Sequence, residues 1–346
     1  MDTELLRKLG NLDQIAGIRE SRLLCGRGEG IRLAEFYTAA GLRFSVVPDR
    51  CMDLYDLSYK GVNLAFHSKN GLTSAQLSSA MDGEFFEQWP GGAMVTCGLD
   101  NVGGPCAADG CTYPTHGRIG STPASSFGTE SFWQDGRYVL RASGEIHQTR
   151  LYGRHLSIRR TIETGLQKKT IRIHDVITNF EAHDEPYMLL YHCNFGYPLL
   201  QADSVVETSR CKQSPMNEIS FDPVHMTEPA DDREEELFFR TDFGPKAISM
   251  LVNERLGLGA YVRFKTQNLP NMLQWKLMRA HDYVLAFEPC NSFDDSRVDA
   301  MRRGQITILP AYSSVETELE IGVLDGPEEI GAMRARLNQP EQGEPV

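Results

Sequence analysis

The stretch Thr170-Ile171-Arg172-Ile173-His174-Asp175-Val176-Ile177-Thr178-Asn179-Phe180 decides the fold. Apolar β-formers recur there at every second position, the period of a strand with one buried face. Runs at 138–146, 156–163 and 186–195 flank it, so β-strands follow one another in series. Further outward lie runs at 31–38, 42–47, 247–252, 259–265, 283–287, 305–309 and 313–323. Residues 53–58 and 62–66 read as a hairpin around Lys60-Gly61. No helix alternates regularly with strands, which argues against a doubly wound sheet. Many strands about ten residues apart predict an all-β fold, a large antiparallel β-sandwich with few short helices. Helical text is confined to residues 3–9 and to 327–337, behind the Asp325-Gly326 turn. No break in composition divides the chain, so one domain is expected over 1–346, with its core at 15–325 and a frayed tail from 339. The acidic stretch 227–236 reads as a solvated loop.

Bulk properties narrow the function. The chain has 346 residues and a formal net charge of −12, so it lacks the basic surface that nucleic acid or an anionic membrane requires. No run of about 18 apolar residues suggests a membrane span. The charged N-terminus lacks a signal-peptide core, which predicts a cytoplasmic protein. Eight cysteines are too few for a disulfide scaffold of this length and fit a reducing compartment. Cys97, Cys106, Cys111 and His116 invite a zinc reading. They contain no Cys-x-x-Cys, and structural zinc sites use tight pairs, so no metal is expected.

Candidate chemistry gathers in four places. In Tyr191-His192-Cys193-Asn194-Phe195-Gly196-Tyr197-Pro198 an imidazole stands in an apolar strand that stops at Gly196 and Pro198. With a reference pKa of about 6.5 it suits proton transfer near neutral pH, although a lone histidine in such a strand is more often a hydrogen-bonded core residue. In Phe287-Glu288-Pro289-Cys290-Asn291 a carboxylate ends a second apolar strand; it suits a general acid or base, or a structural ion pair. Just upstream, Gln274, Trp275 and Lys276 fall on a neighbouring strand, where Trp275 offers a sugar a flat face or simply fills the core. The turn Pro48-Asp49-Arg50-Cys51-Met52-Asp53 either pairs Arg50 with Asp53 or aims the guanidinium at a ligand. Finally, the glycine-rich segment 91–124 holds Thr115-His116-Gly117-Arg118. A long loop of this kind on a β-scaffold commonly bears binding groups.

Together these motifs resemble the aldose 1-epimerase (galactose mutarotase) superfamily, in particular a poorly characterised aldose 1-epimerase-like branch. The likeness rests on Pro48-Asp49-Arg50, His116-Gly117, Asp175 to Asn179, Leu190 to Leu200 and Glu288-Pro289-Cys290-Asn291. It implies a β-sandwich with a sugar site on a concave face, and a reaction without a cofactor. Glu288 would deprotonate the anomeric hydroxyl and His192 would protonate the ring oxygen. Arg50, His116, Asn194 and Trp275 would hold the sugar. The aspartate that grips substrate in the well-studied members has no match here; Gln274 or Lys276 would take its place, and a lysine there would favour a sugar acid. The implied partner is a monosaccharide or sugar acid, with neither nucleic acid nor membrane; a homodimer is compatible with it. Two other readings share the fold: epimerisation or aldose–ketose isomerisation at another sugar carbon, and sugar binding without catalysis.

Overall fold

Alternation in the primary sequence becomes alternation in burial. In the computed structural model the strand Thr170–Asn179 buries Ile171, Ile173, Asp175, Ile177 and Asn179 and turns the residues between them outward. The model describes residues 6–75, 83–108, 110–216, 222–293 and 296–337. The expected opening helix at 3–9 lies partly outside these residues, and the tail from 339 wholly so.

The strands form two large sheets and a smaller one. The eight-stranded sheet runs in the order Val205–Thr208, Lys246–Asn253, Leu258–Lys265, Ser314–Asp325, Thr170–Asn179, His155–Gly165, Arg137–Thr149, Ser126–Gln134. The seven-stranded sheet runs Lys212–Pro215, Glu236–Thr241, Asn271–Arg279, Asp282–Cys290, Glu185–Phe195, Thr307–Leu309, and Val95–Leu99 also pairs with Glu185–Phe195. A five-stranded sheet is built from Gly17–Arg22, Arg32–Tyr37, Leu42–Val47, Asp53–Tyr59 and Val62–Asn63. The pairings along all three are antiparallel, so the architecture is the expected antiparallel β-sandwich.

One hydrophobic core joins the sheets. Ile158, Ile173 and Ile321 from the eight-stranded sheet meet Leu189, Phe195 and Phe287 from the seven-stranded sheet, and Phe36, Phe44 and Leu57 extend the same cluster into the third. Each such side chain contributes about 1.5–3 kcal/mol when removed from water. On its outer face the eight-stranded sheet is ionic. Arg141, Glu163, Arg172, Glu320 and Arg263 stand opposite one another in a single row of alternating sign.

The seven-stranded sheet is apolar on both faces. Leu189, Tyr191, Cys193 and Phe195 point into the main core. Met188 and Leu190 point the other way, into a second cluster with Val95, Cys97, Phe239, Leu273 and Cys290. This explains why the run 188–195 shows no alternation of polarity. His192 and Asn194 share the parity of Leu190, so they belong to the second face.

Beneath that face lies a buried ionic network. Arg160 is fully buried. Its Nη2 donates to Asp175 Oδ2 at 2.7 Å, and its Nη1 donates to Asp53 Oδ1 at 3.1 Å and to the Cys51 carbonyl at 2.9 Å. Tyr191 donates its hydroxyl to Asp175 Oδ2 at 2.7 Å. Asp53 also accepts from the Thr96 N–H and hydroxyl. The turn that carries Arg50 is thus tied to strands of both large sheets. Removing one partner from such a buried pair typically costs about 3–5 kcal/mol.

Segment 91–124 is more ordered than its glycines suggest. It contains the strand Val95–Leu99, the hairpin Cys106–Ala108/Cys111–Tyr113 and a 3-10 turn Ile119–Ser121. The strand was concealed because all five of its residues are buried, leaving no period to detect. The helix Pro327–Leu337 forms where expected.

Candidate active site

The register of the seven-stranded sheet brings His192 and Glu288 together. Leu190 lies opposite Cys290 and Cys193 opposite Phe287, which sets His192 opposite Glu288. On one side His192 faces Val95; on the other, Glu288 faces Leu273, which in turn faces Phe239. Two ionisable groups therefore sit in the middle of a row of apolar side chains. They are 6% and 2% exposed, with His192 Nε2 3.2 Å from Glu288 Oε1.

Asn194 determines which ring nitrogen faces the carboxyl group. Its Nδ2 donates to the carbonyls of Gly92 and His192, at 2.9 Å each. Its Oδ1 is then an acceptor, 2.5 Å from His192 Nδ1, so Nδ1 carries a hydrogen and Nε2 is left for Glu288. Asn194 is fully buried and orients the imidazole instead of lining the cleft as a sugar ligand. Burial pushes the His192 imidazole down to about 3, the neighbouring His116 ring adds to the effect, and the bond to Asn194 opposes it. Desolvation overrides the ordinary imidazole value of about 6.5 expected from the sequence, because an apolar row disfavours the charged form. His192 Nε2 and Glu288 Oε1 stand at ion-pair distance without a completed hydrogen bond, and a proton held between them would belong to the pair.

His116 arrives from the glycine-rich segment. Its ring stands perpendicular to that of His192, with centroids 5.9 Å apart. Its backbone is left-handed, with φ 54°, and Gly117 follows at φ 71°. A Cβ at Gly117 would lie 2.2 Å from the Gly98 carbonyl oxygen and 2.7 Å from the Asn101 carbonyl oxygen, so only glycine lets this turn close on the strand Val95–Leu99. The Gly103 N–H reaches His116 Nδ1 at 3.4 Å, which leaves Nε2 as the protonated nitrogen of a neutral ring. Burial holds this imidazole down to about 4. Asp100, fully buried, anchors the segment by accepting from Arg118 at 2.7 Å and Arg154 at 2.8 Å.

Arg50 lines the same cleft as His116, together with Gln88, Trp89, Thr96 and Ser121, around a narrow space of about 40 Å³. Its Nη1 donates to the Thr73 carbonyl at 2.9 Å. The Arg50–Asp53 ion pair expected as one alternative from the sequence makes no direct contact among the described residues, because Asp53 is held by Thr96 and Arg160; Asp53 acts on the Arg50 guanidinium only through its nearby charge. Trp275 joins the cluster too, its ring 5.4 Å from His192.

Gln274 and Lys276 do not join it. They lie opposite Phe287 and Leu285, both residues of the main core, whereas Trp275 between them lies opposite Ala286. Successive strand residues face opposite sides of a sheet, so Gln274 and Lys276 point away from His192. Gln274 accepts from Arg240 and donates to the Pro223 carbonyl at 2.8 Å. Lys276 donates to the Asp222 carbonyl at 2.9 Å and pairs with Glu236 at 3.2 Å. Neither can replace a substrate-gripping aspartate, and Lys276 offers the site no charge for a sugar acid.

Two aromatic residues escaped the sequence reading. Trp89 packs edge-on to His192 at 5.3 Å and to Trp275 at 5.9 Å, and Phe85 lies 5.3 Å from His116. Their signal was the aromatic text Phe85-Phe86-Glu87-Gln88-Trp89-Pro90 just before the glycines, which no strand period explains. Among the described residues no three His, Cys, Asp or Glu side chains converge as a metal set. No helix among the described residues is long and apolar enough to cross a membrane.

The double-faced sandwich, with its histidine and glutamate on the second face, is the galactose mutarotase-like fold. A crystal structure from Klebsiella pneumoniae, named as a candidate aldose 1-epimerase, superposes with a TM-score of 0.87 at 22% identity, covering 95% of this chain and 88% of that one. A galactose mutarotase-like protein from Clostridium acetobutylicum gives 0.60 at 14% identity, over 90% and 99% of the two chains. A galactose 1-epimerase from Lactobacillus acidophilus gives 0.57 at 12%, again over 90% and 99%. These similarities establish the fold. By sequence the chain belongs to the family described as a domain of unknown function, DUF4432, which matches residues 28–323. No curated protein matches it in sequence.

Proposed function

We propose that this protein is a carbohydrate-active epimerase of the mutarotase type, interconverting the anomers of a free monosaccharide or sugar acid. The observation that carries the reading is the His192–Glu288 pair, 3.2 Å apart in an apolar row. A proton donor and acceptor this close suit two oxygens bonded to one carbon, as at an anomeric centre. Structural neighbours named for aldose 1-epimerase and galactose 1-epimerase activity support the general class.

In the proposed reaction the sugar enters beside the pair. Glu288 takes the proton of the anomeric hydroxyl while His192 delivers the shared proton from Nε2 to the ring oxygen. The bond from the anomeric carbon to the ring oxygen breaks, giving the open aldehyde. Rotation about one carbon–carbon bond and reversal of both transfers close the other anomer. The proton count balances: the pair holds one proton before ring opening and one after it. Asn194 keeps Nδ1–H out of the exchange, so only Nε2 takes part. His116, neutral and with Nε2–H free to donate, and Arg50 contact hydroxyls or the negative charge that develops on oxygen.

Anomer exchange measured by NMR across hexoses, pentoses and uronates tests the reading. Glu288→Gln keeps the shape and removes the base, and exchange should fall by about 10²–10⁴ with the thermal melt preserved. Full activity in that variant would refute the assigned base. Deuterium appearing at a carbon-bound position would instead place the reaction at another carbon.

A further inference from the structure

Buried tryptophans normally satisfy their indole N–H, and the two indoles at the site differ in this respect. Trp275 Nε1 donates to Glu235 Oε2 at 3.1 Å. Trp89 Nε1 is shielded from solvent and has no acceptor among the described residues. A donor left unmade in this way raises the energy of the empty site. The rest of Trp89 is firmly held. Its backbone N–H donates to the Phe85 carbonyl at 2.8 Å, and its own carbonyl accepts from Ser68 Oγ and Asn70 Nδ2. Its ring stands 5.3 Å from His192 and 5.9 Å from Trp275. It lines the cleft that also holds Arg50 and His116.

We propose that Trp89 is a substrate-contact residue that donates its Nε1–H to one oxygen of the bound sugar and thereby selects the hydroxyl pattern the site accepts. The inference rests on the sugar reading of the His192–Glu288 site. The oxygen approaches past Phe85 and Gln88, which line the cleft from the one-turn helix Glu84–Gln88. That helix is exposed at Glu84, Phe86 and Glu87. Trp275 cannot take this role while its N–H is held by Glu235; it supplies an apolar wall. The ligand therefore needs an acceptor oxygen beside an apolar C–H face, a combination that a pyranose or furanose ring presents. A site that hydrogen-bonds a substrate oxygen discriminates against the analogue that lacks it.

The test uses the whole protein with ¹⁵N-labelled tryptophan, whose three indoles give three Nε1–H signals, at Trp89, Trp133 and Trp275. Trp89→Phe assigns the Trp89 signal. Glucose, galactose, mannose, xylose, arabinose and glucuronate are then titrated in turn, with anomer exchange followed in the same samples. The expected result is a downfield shift of Trp89 Nε1–H with the sugar that exchanges, while Trp133, on the strand Ser126–Gln134 of the other large sheet, stays still. Trp89→Phe should weaken binding of that sugar about fivefold, the worth of one neutral hydrogen bond. The loss should vanish for one monodeoxy analogue, an outcome that a merely structural role would not produce. Exchange with an unmoved Trp89 signal overturns the inference and leaves the epimerase reading standing. A Trp89 shift with one or more of these sugars and exchange with none of them supports the contact and overturns the epimerase reading. No shift with any of the sugars overturns the contact.

Discussion

Acidification should destabilise this protein through His116, and the size of the effect follows from its burial. The ordinary imidazole value is about 6.5, and in the folded protein burial holds His116 down to about 4. A depressed histidine makes the unfolded state bind more protons between these two values, so stability falls as pH falls. The contribution is complete above pH 6.5, declines below it, and levels off once the folded ring also titrates near 4. Each unit of separation is worth about 1.4 kcal/mol. Going from pH 7 to pH 5 should therefore remove about 2 kcal/mol through His116 alone, a large share of the roughly 5–15 kcal/mol that stabilises a typical domain. The chain's net charge of −12 acts in the opposite direction, since acid relieves its self-repulsion. Comparing variants separates the two effects. Urea unfolding of wild type and of His116→Gln at pH 7 and pH 5 gives four stabilities. The loss between the two pH values should be smaller in the variant by about 2 kcal/mol, whatever the substitution costs at either pH. Equal losses in both proteins would mean that His116 is solvated or charged in the fold, and its assignment as a neutral donor would fall with that result.

Two further outcomes follow from the geometry around the site. Gly117→Ala places a methyl group against the Gly98 and Asn101 carbonyls at positive φ and should cost about 2–5 kcal/mol in a denaturant melt; Gly110→Ala, also at positive φ but with open space around it, should cost no more than about 1–2 kcal/mol. Lys276→Met strands Glu236 and the Asp222 carbonyl and should cost about 3 kcal/mol while leaving the preference between neutral sugars and uronates unchanged; a shifted preference in the exchange assay would return Lys276 to the site.

What the sequence revealed depended on whether a strand had one buried face or two. Around Ile171, Ile173 and Ile177 the outer positions hold arginine, histidine and threonine, so the period is plain and the sandwich is legible. Val95–Leu99 is buried at every position, and with a glycine inside it the strand looked like loop. The same logic explains the errors at the site. Trp275 lies beside His192, and strand parity alone then rules out Gln274 and Lys276 as its companions on one face. His192 and Asn194 have equal parity and meet, though as a ring and its orienting amide. Arg50 and Asp53 sit three residues apart across a turn with positive φ at Cys51 and Met52, and local spacing could not foretell that Arg160, more than a hundred residues away, would hold Asp53. Trp89 needed a different kind of attention, to aromatic residues that no core period accounts for.

The division of labour between strands and loops bears on what can change within this family. His192 and Glu288 stand on adjacent strands, in register, with apolar neighbours on both sides of the row. Their separation is fixed by the pleat and the hydrogen-bond ladder, and the low polarity around them strengthens any proton shared between them. Nothing in that arrangement recognises a particular sugar. The groups that could do so, Arg50, His116 and Trp89, come from a turn, a glycine-rich segment and the end of a one-turn helix. Segments of this kind tolerate change better than core strands. On the proposed epimerase reading, substitutions around Trp89 and Arg50 should therefore redirect the sugar preference without disturbing the His192–Glu288 pair, whereas a one-residue slip in the strand Glu185–Phe195 would turn His192 into the main core and separate the pair.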